Sequence, residues 1–476
     1  MEYVVVGNDH SILIPDLARF RYGAGRLRGL RCIHTHMYGE PLDQEDLMDL
    51  ALLKLDLMVC INVEDSGLLG DLYYAHILPK NLTGLSWNVE HRDDIGRLNI
   101  NFLEFIRELE SELGKTENDI SLNKREKAFL VNVTTSTKKE AEESLEELKE
   151  LAYASDLLVV DSTIQRKRET DSRFILGKGK LSEIAIKSLQ LGSDLLIFDR
   201  ELTPAQVRLL TNYTEMKIID RSQLILDIFA RRAVTKAAKI QVELAQLRYL
   251  LPRLITKNTA MSRLTGGIGG RGPGETKLEI NRRRVRDRIA FLNEELKNIR
   301  KQRIERRKRR RERHMPVISI VGYTNAGKST LLNTLTRNYV KAGSRPFVTL
   351  DTTSRKLRLQ KGEVIITDTV GFIMDLPEDI LDSFATTFEE LSEADLILHI
   401  ADISNSRLEE QIELVNNILR SLGLAELKTL LVLNKRDKLN RAQAHSIVSK
   451  LGGIPISALD VSSLTDLKKA IEDIIF

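Results

Sequence analysis

The chain has 476 residues and a mass of 54.1 kDa, which corresponds to about three or four domains of ordinary size. Apolar residues make up 42% of the chain, which excludes disorder throughout. No apolar run approaches the roughly 18–20 residues that cross a bilayer, and the first residues lack the features of a signal peptide. The cysteines Cys32 and Cys60 are too few for a disulfide scaffold or a four-thiolate zinc site. We therefore expect a cytoplasmic protein with no membrane span.

The net charge of +4 conceals a strong asymmetry along the chain. Between Arg282 and Arg313 there are 16 Lys or Arg residues and 5 Asp or Glu residues, so the rest of the chain carries a net charge of −7. Positive charge gathered in one segment of an otherwise acidic chain indicates either a polyanionic partner or a solvated charged helix face.

Residues 1–122 form the first of four predicted blocks. Short apolar runs such as LMVCINV alternate with polar turns, and one helix-like stretch extends from Asn99 to Leu113. This pattern predicts an extra α+β domain at the N-terminus, whose role the sequence does not reveal.

Residues 124–220 alternate between strand and helix patterns. The strands AFLVNV, DLLVVDSTIQ, DLLIFD and MKIID are almost continuously apolar, and amphipathic stretches separate them. Such alternation predicts a parallel sheet covered by helices, with Thr203 as a helix cap and Pro204 at the first helical position. Whether ATP also binds this block, near Gly177 to Lys180, stays open.

Residues 221–314 predict a long helical hairpin. Apolar side chains recur at heptad spacing in both arms: Ile240, Leu244, Leu247 and Leu251 in the first arm, and Val285, Ile289, Leu292, Leu296 and Ile299 in the second. The two arms are therefore expected to pack as an antiparallel coiled coil. Between them, six glycines within TGGIGGRGPGET predict an irregular loop at the hairpin tip.

Residues 315–476 begin with a strand, a glycine-rich turn and a helix. Gly322, Gly327, Lys328 and Ser329 form the pattern G-x-x-x-x-G-K-S between VISIV and an apolar helix, the context of a phosphate-binding loop. The glycines let backbone N–H groups surround a β-phosphate at the helix N-terminus. Lys328 then contacts the β- and γ-phosphates, and the Ser329 hydroxyl coordinates Mg²⁺. Further strands and helices complete an α/β domain.

Three later motifs, each at a strand end, make this a guanine-nucleotide site. Asp368 to Gly371 (DTVG) offers a carboxylate for Mg²⁺ and a glycine N–H for the γ-phosphate. Asn434 to Asp437 (NKRD) offers a carboxylate that accepts hydrogen bonds from guanine N1 and N2, which adenine does not offer as donors. Ser457 and Ala458 follow one more strand and bring a backbone amide near guanine O6.

Two residues bear on hydrolysis. Thr349, in PFVTLDTT, is the expected switch threonine, which closes on Mg²⁺ when the γ-phosphate is present. Phe372 follows Gly371, where many GTPases carry a glutamine that orients the attacking water. Slow intrinsic hydrolysis is therefore expected unless a partner or another group positions the water.

The motifs GYTNAGKSTLLN, FVTLDTTSR, DTVGF and NKRD resemble those of the HflX family of ribosome-associated GTPases. RFILGKGKLSEI, LDIFARRAVTKAAKIQVELAQLRYLLPRL and the loop GGIGGRGPGETKLE extend this resemblance upstream, so that it runs from about residue 125 to the C-terminus. It implies the fold of an α/β protein: a P-loop GTPase domain preceded by a parallel α/β domain with a long antiparallel coiled-coil hairpin.

The resemblance implies a factor that binds GTP, GDP and Mg²⁺, engages the large ribosomal subunit and its rRNA, and splits stalled or idle ribosomes, as a monomer. Catalytic roles are expected for Lys328, Thr349, Gly371 and Phe372, and Mg²⁺ ligation for Ser329, Thr349 and, through water, Asp368. The residues expected at the nucleotide are Gly322, Tyr323, Thr324, Asn325, Ala326, Gly327, Lys328, Ser329, Thr330, Phe347, Val348, Thr349, Leu350, Asp351, Asp368, Thr369, Val370, Gly371, Asn434, Lys435, Arg436, Asp437, Ser457, Ala458 and Leu459. Those expected at RNA are Gly266, Gly267, Gly269, Gly270, Arg271, Gly272, Gly274, Arg282, Arg283 and Arg284.

Two other functions would use the same motifs. One is a GTPase that assembles the large subunit on precursor particles, and the other is an RNA-remodelling protein whose nucleotide regulates RNA affinity. The sequence does not separate these from ribosome splitting.

The first block contains a histidine motif of its own. RCIHTHMYGEPLDQED places His34 and His36 upstream of Asp43 and Asp46, which resembles the His-x-His…Asp zinc pattern of JAMM-type metalloproteases. Two histidines on one strand face and a carboxylate can bind zinc with a fourth position open. However, the usual serine is missing, the aspartate spacing is one residue short, and no upstream glutamate is evident. These departures favour a structural pair, or a relic of such a domain, over active zinc chemistry.

Overall fold

The computed structural model describes residues 4–6, 26–64, 66–79, 85–94, 96, 101–118, 125–167, 175–193, 195–214, 216–254, 277–311, 315–336, 353–368, 371–373 and 391–476. The chain divides into two compact units, one of residues 1–152 with 156–221 and the other of residues 153–155 with 222–476. Within the described part of the chain, no helix is both long and apolar enough to cross a membrane.

The first unit begins with a mixed four-stranded sheet and two helices. Its elements are β1 (Arg31–His36), α1 (Gln44–Leu52), β2 (Leu57–Val63), β3 (Leu69–Ile77), β4 (Trp87–Arg92) and α2 (Phe102–Asn118). The strand order is β1-β2-β3-β4, with β1 parallel to β2 and the other pairs antiparallel. The helix expected from Asn99 to Leu113 is confirmed as α2, and its buried side chains join those of α1 and β2 in one core.

The same unit continues with alternating strands and helices. These are β5 (Lys127–Thr134), α3 (Lys138–Ala154), β6 (Leu158–Arg166), α4 (Lys178–Leu191), β7 (Leu195–Phe198), α5 (Pro204–Tyr213), β8 (Lys217–Asp220) and α6 (Arg221–Arg232). Helix α6 begins at Arg221, the last residue of the first unit, and its other residues belong to the second unit. The sheet order is β6-β5-β7-β8 and every pair is parallel, as the sequence predicts. Thr203 caps α5 through the Gln206 N–H, at 3.2 Å, with Pro204 at the first position.

Helix α4 packs on both sheets of the first unit. Ile186 and Leu189 are buried in the core of the N-terminal sheet, whereas Leu181 and Ile184 are buried against the parallel sheet. The Gln190 side-chain amide also donates to the Leu78 carbonyl at 2.8 Å. The N-terminal block and the parallel α/β block therefore share one helix.

A buried polar network lies at the carboxyl ends of β7 and β8. The Arg221 guanidinium donates to Asp199 at 2.8 Å and to Glu147 at 2.7 Å, while Asn132 and Ser144 donate to the other Asp199 oxygen at 2.6 Å. Burial raises the pKa of Asp199, and the Arg221 charge and these hydrogen bonds oppose that rise. Because both Asp199 oxygens accept hydrogen bonds within the unit, we assign this network to structure.

Two long helices open the larger part of the second unit, α7 (Lys236–Arg253) and α8 (Lys277–Arg311). Ile240 and Leu244 of α7 pack with Leu292 and Leu296 of α8, and Leu247, Ile289 and Ile299 border this cluster. Lys236 pairs with Glu295 at 2.6 Å and Glu243 with Arg288 at 2.7 Å, so the helices run in opposite directions where they touch. The predicted tip loop, at 265–276, lies outside the described residues.

The second unit ends with a six-stranded sheet. Its elements are β9 (Val317–Gly322), α9 (Lys328–Thr336), β10 (Thr353–Arg358), β11 (Glu363–Asp368), β12 (Leu396–Asp402), α10 (Leu408–Ser421), β13 (Thr429–Asn434), α11 (Arg441–Leu451), β14 (Ile454–Pro455) and α12 (Thr465–Ile475). The order is β10-β11-β9-β12-β13-β14, with β10 antiparallel to β11 and the other pairs parallel. The carboxyl ends of β9, β11, β12 and β13 therefore meet at one edge, where a ligand of an open α/β sheet is held.

Candidate nucleotide-binding site

The turn between β9 and α9 has the backbone shape of a phosphate-binding loop. Gly322 and Gly327 have φ angles of +150° and +96°, and Asn325 has +61°. A Cβ on Gly322 would lie 2.1 Å from the Ile400 carbonyl oxygen, and one on Gly327 would lie 2.2 Å from the Asn434 amide nitrogen. Both positions therefore require glycine. Helix α9 begins directly at Lys328, so its N-terminal amides are available to an anion.

Lys328 is buried inside this loop. Its Nζ donates to the Gly322 carbonyl at 3.0 Å and to the Tyr323 carbonyl at 2.7 Å. Burial lowers the pKa of Lys328 to about 8, although the Asp368 carboxylate favours the charged form. A polyphosphate at the loop would favour the ammonium further, because opposite charge stabilises a buried cation.

Two of the expected Mg²⁺ ligands lie side by side. The Ser329 hydroxyl donates to Asp368 Oδ2 at 2.8 Å, and Asp368 is fully buried at the end of β11. Hydroxyl and carboxylate oxygens next to a phosphate loop are the donors that Mg²⁺ takes, so these residues fit that ion. Thr349, the third expected ligand, lies outside the described residues, as do Phe347, Val348, Leu350 and Asp351.

The segment after Asp368 lies against the phosphate loop. The Phe372 N–H donates to the Gly322 carbonyl at 3.1 Å, and the Thr324 N–H donates to the Phe372 carbonyl at 2.7 Å. The Phe372 side chain is fully buried, and a Cβ on Gly371 would lie 2.9 Å from Lys328 Nζ. This segment therefore presents backbone and an apolar ring at the loop, while Thr369 and Val370 lie outside the described residues.

Asn434 joins the phosphate loop to the expected base-binding loop. Its amide nitrogen donates to the Ala326 carbonyl at 2.8 Å, and its amide oxygen accepts from the Ala458 N–H at 2.9 Å. Thr334 of α9 also donates to the Ala458 carbonyl, at 2.6 Å. The buried Asn434 side chain thus connects the phosphate loop to the segment of Ala458 and acts as a positioning residue.

Asp437 is exposed at the rim of the same loop. One of its oxygens accepts from the Ser457 hydroxyl at 2.6 Å, which orients the carboxylate. Lys435 has a φ angle of +65°, and its ammonium pairs with Asp402 at 2.7 Å. Arg436 and Leu459 are exposed beside them. Sequence reasoning missed Asp402 and Thr334; the position of Asp402, at the carboxyl end of β12, is the signal that could have found it.

The residues expected at RNA are only partly described. Arg282, Arg283 and Arg284 lie in α8, and Arg283 and Arg284 are exposed. The glycines from Gly266 to Gly274 and Arg271 lie outside the described residues.

The histidine motif of the first block forms a compact cluster in the first unit. His34 and His36 lie on one face of β1, and their Nε2 atoms are 3.1 Å apart. Asp46 Oδ1 lies 3.3 Å from His34 Nε2, and its Oδ2 lies 3.6 Å from His36 Nε2. Asp43, named with them in the sequence, instead caps helix α1.

Three family models match the chain in the order of its described elements. Residues 142–230 match the model described as GTP-binding GTPase N-terminal, residues 232–310 match GTP-binding GTPase Middle Region, and residues 317–435 match 50S ribosome-binding GTPase. Residues before 142 lie outside all three of these models.

Curated relatives resemble the chain over most of its length. GTPase HflX of Caldanaerobacter subterraneus is 45% identical over 353 residues, which are 74% of this chain and 81% of the relative. GTPase HflX of Escherichia coli is 42% identical over 315 residues, which are 66% of this chain and 74% of the relative. Among solved structures, a GTP-binding protein from Sulfolobus solfataricus in complex with GDP is 26% identical, with a TM-score of 0.41, and the match covers 74% of this chain and 98% of that one.

The sequence identity to these relatives spans both the upstream domains and the GTPase domain, in the order that the family models have. The chain therefore belongs to the HflX family of GTPases, and its reaction is the hydrolysis of GTP to GDP and phosphate.

Proposed function

We propose that this GTPase binds the large ribosomal subunit and splits stalled or idle ribosomes into their subunits. The observation that carries the proposal is the charge of α8 and the residues just after it, with 16 Lys or Arg residues between Arg282 and Arg313 on an otherwise acidic chain. Clustered cations bind RNA phosphates through release of counterions. The description of the family model for residues 317–435, a 50S ribosome-binding GTPase, supports the same partner.

On this proposal α7 and α8 are the arms of a coiled-coil hairpin whose tip is the glycine-rich segment 265–276. Arg282, Arg283 and Arg284 contact rRNA phosphates, and Arg271 with the glycines from Gly266 to Gly274 contacts RNA at the tip. Glycine suits that position because a backbone without Cβ atoms approaches RNA closely. The proposal implies a cytoplasmic protein that acts as a monomer.

In the proposed nucleotide complex, residues 322–330 hold the phosphates and Lys328 contacts the β- and γ-phosphates. Asp437 accepts hydrogen bonds from guanine, and Asn434 keeps Ala458 next to the base. Ser329, Thr349 and, through water, Asp368 would hold Mg²⁺, which neutralises phosphate charge. Gly371 donates its N–H to the γ-phosphate, so that Thr349 and Gly371 distinguish GTP from GDP.

Activation of water requires a group that this segment does not supply. Phe372 is apolar and fully buried, so its side chain neither accepts a proton from water nor orients it. We therefore propose slow intrinsic hydrolysis that the large subunit accelerates, after which the factor leaves in its GDP form.

Light scattering of intact ribosomes tests the proposal. The protein with a non-hydrolysable GTP analogue should lower the scattering, because the ribosomes separate into subunits. GDP should give no fall, and neither should Lys328→Ala, which removes the phosphate-binding ammonium. A variant with a shortened 265–276 loop should bind GTP normally and yet fail to split ribosomes, which separates the role of the tip from that of the nucleotide site.

Other outcomes would assign a different function. Unchanged scattering with tight binding to precursor particles would indicate large-subunit assembly. Binding to free RNA that depends on the nucleotide, without subunit binding, would indicate RNA remodelling. Splitting by the loop-shortened variant would refute the assignment of the tip.

A further inference from the structure

A cluster of side chains that are common metal ligands lies in the first unit and has no role in GTP hydrolysis. Its members are His34, His36, Asp46 and Cys60. It joins three elements, because the histidines come from β1, Cys60 from β2 and Asp46 from α1. His34 lies opposite Cys60 in the parallel pairing of β1 with β2. Cys60 Sγ and the two histidine nitrogens all lie within 4.8 Å of one another.

The distances among these atoms are those of donors around one tetrahedral ion. Zinc holds nitrogen and carboxylate oxygen donors at about 2.0–2.2 Å, so neighbouring donors in a tetrahedron lie about 3.3–3.5 Å apart. The separations are 3.1 Å between the two Nε2 atoms, 3.3 Å from His34 to Asp46 and 3.6 Å from His36 to Asp46. The two imidazole Nε2 atoms therefore already have the spacing that such an ion requires, and Asp46 reaches each of them with a different carboxylate oxygen.

Hydrogen bonds around the cluster orient the donor atoms. His36 Nδ1 lies 3.1 Å from the Glu40 carbonyl, which only accepts, so Nδ1 carries the proton and Nε2 presents its lone pair to the cluster. The Asp43 N–H donates to Asp46 Oδ2 at 3.0 Å and fixes the carboxylate. Such outer contacts are typical of protein ligands to metals.

Three of the four side chains are partly exposed. The side chains of His34, His36 and Asp46 are 9%, 18% and 19% exposed, so a cation could reach them from solvent.

We propose that His34, His36 and Cys60 bind one zinc-class divalent ion, and that Asp46, which contacts both imidazoles, turns toward the ion as the fourth ligand. The donors are two imidazoles, one carboxylate and one thiolate, a set that suits tetrahedral zinc. Four protein donors leave no open position, so the ion is structural and links β1, β2 and α1. Sequence reasoning left Cys60 out because it lies 24 residues after His36 and reaches the histidines only through the pairing of β1 with β2.

Metal analysis of the full chain tests this site, with Zn²⁺ and Co²⁺ as the probes. The wild-type protein should hold one ion per chain, and its Co²⁺ form should show the strong visible bands of a tetrahedral complex and a near-ultraviolet band from thiolate to cobalt. His36→Gln and Asp46→Asn should each weaken binding by about tenfold or more. Cys60→Ser should remove the thiolate band. His445→Ala, at an exposed histidine on α11, should change neither affinity nor spectrum.

The single tryptophan, Trp87, lies on β4 and packs against the same core, so its fluorescence reports whether each variant keeps this fold. If a variant does not fold, the wild-type protein still tests the proposal. Bound Zn²⁺ should raise the temperature at which its Trp87 fluorescence changes. His91→Ala tests the rival group of Asp71, His91 and Asp93 and should leave binding unchanged. The proposal would be overturned if the wild-type protein held no metal, if only His91→Ala lost it, or if His36→Gln bound it as tightly as wild type. A cobalt spectrum without the thiolate band would show that Cys60 is not a ligand.

Discussion

His399 is a buried titratable side chain next to the nucleotide site. It lies in β12 opposite Val321 of β9 and is 2% exposed. Burial lowers the pKa of His399 to about 4, and the positive charge of Lys328 acts in the same direction. The unfolded side chain titrates near pH 6.5, so the folded protein binds fewer protons between about pH 4 and 6.5. With respect to this histidine, the free energy of unfolding is therefore highest above about pH 6.5, and it falls as the pH is lowered from about 6.5 to 4.

His399→Gln should remove this pH dependence. A histidine with these pKa values lowers the free energy of unfolding by about 2 kcal/mol at pH 5 relative to pH 7.5. Glutamine does not titrate, so it causes no such change. Urea midpoints at the two pH values should therefore fall more in the wild-type protein than in His399→Gln. His445→Gln, at an exposed histidine of the same domain, is the control and should behave like wild type. Equal falls in wild type and His399→Gln would show that another group controls the acid sensitivity.

The sequence predicted which residues surround the phosphate loop but not what each contributes. Spacing is enough to identify Gly322, Gly327 and Lys328, because a turn that curls around phosphate allows few alternatives. Spacing does not show that Asn434 is buried between Ala326 and Ala458. Nor does it show that Phe372 is buried while its backbone pairs with the loop. Both facts depend on contacts between residues that lie 24 or more positions apart in the chain.

Among the elements, the pairing of α7 with α8 depends on a small buried seam. Leu244 and Leu292 are 2% and 1% exposed and lie at its centre. Charged residues make up most of the rest of the α8 sequence, and such side chains offer little apolar surface for burial. The helices are therefore held together mainly by these leucines and the residues that flank them.

Leu292→Ala should loosen this helix pair. Removing a buried leucine costs about 2–5 kcal/mol, which corresponds to at least about 30-fold faster opening-limited exchange of the amides that the pair protects. Hydrogen exchange followed by mass spectrometry over Lys236–Arg253 would measure it. Phe291→Ala is the matched control, since Phe291 is the preceding residue and is 56% exposed. Unchanged exchange in Leu292→Ala would mean that the helices are held together by other contacts.

Regular elements with an apolar period were predictable, and those without one were not. The strands and helices from Lys127 to Asp220 fall where the alternation predicts them. Strand β10, with the sequence TSRKLR, was missed because it is an edge strand rich in charge, and such strands lack the apolar pattern of central ones. The predicted seam also included Leu251 and Val285, which are not part of the buried cluster.

At the scale of the whole molecule, the two compact units are set by contacts between elements, which the pattern of the sequence does not show. Changes of pattern predict a boundary near residues 122–124, between the N-terminal block and the parallel α/β block. The structure joins the two blocks in one compact unit, because α4 buries side chains in both cores. A pattern of apolar residues shows that α4 has buried positions, but not that they serve two sheets. The division into four domains stays a prediction about folding units.

Removal of residues 1–122 should therefore leave the parallel α/β block with an uncovered apolar surface. Ile186 and Leu189 are 1% and 2% exposed in the whole chain, and exposing each costs about 1.5–3 kcal/mol. The shortened protein should bind an apolar dye and melt at a lower temperature, while its affinity for GDP should stay unchanged, because the nucleotide site lies in the other unit.

The double substitution Ile186→Gln with Leu189→Gln provides the sharpest check, because its effect on stability should be present in the full chain and absent in the shortened one. In the full chain it places two amides in an apolar core and should lower the melting temperature. In the shortened chain it replaces solvent-exposed apolar side chains, so it should reduce dye binding and aggregation without further loss of stability. A shortened protein that binds no dye and melts like the full chain would show that residues 1–122 fold as an independent domain, with α4 needing only the parallel sheet.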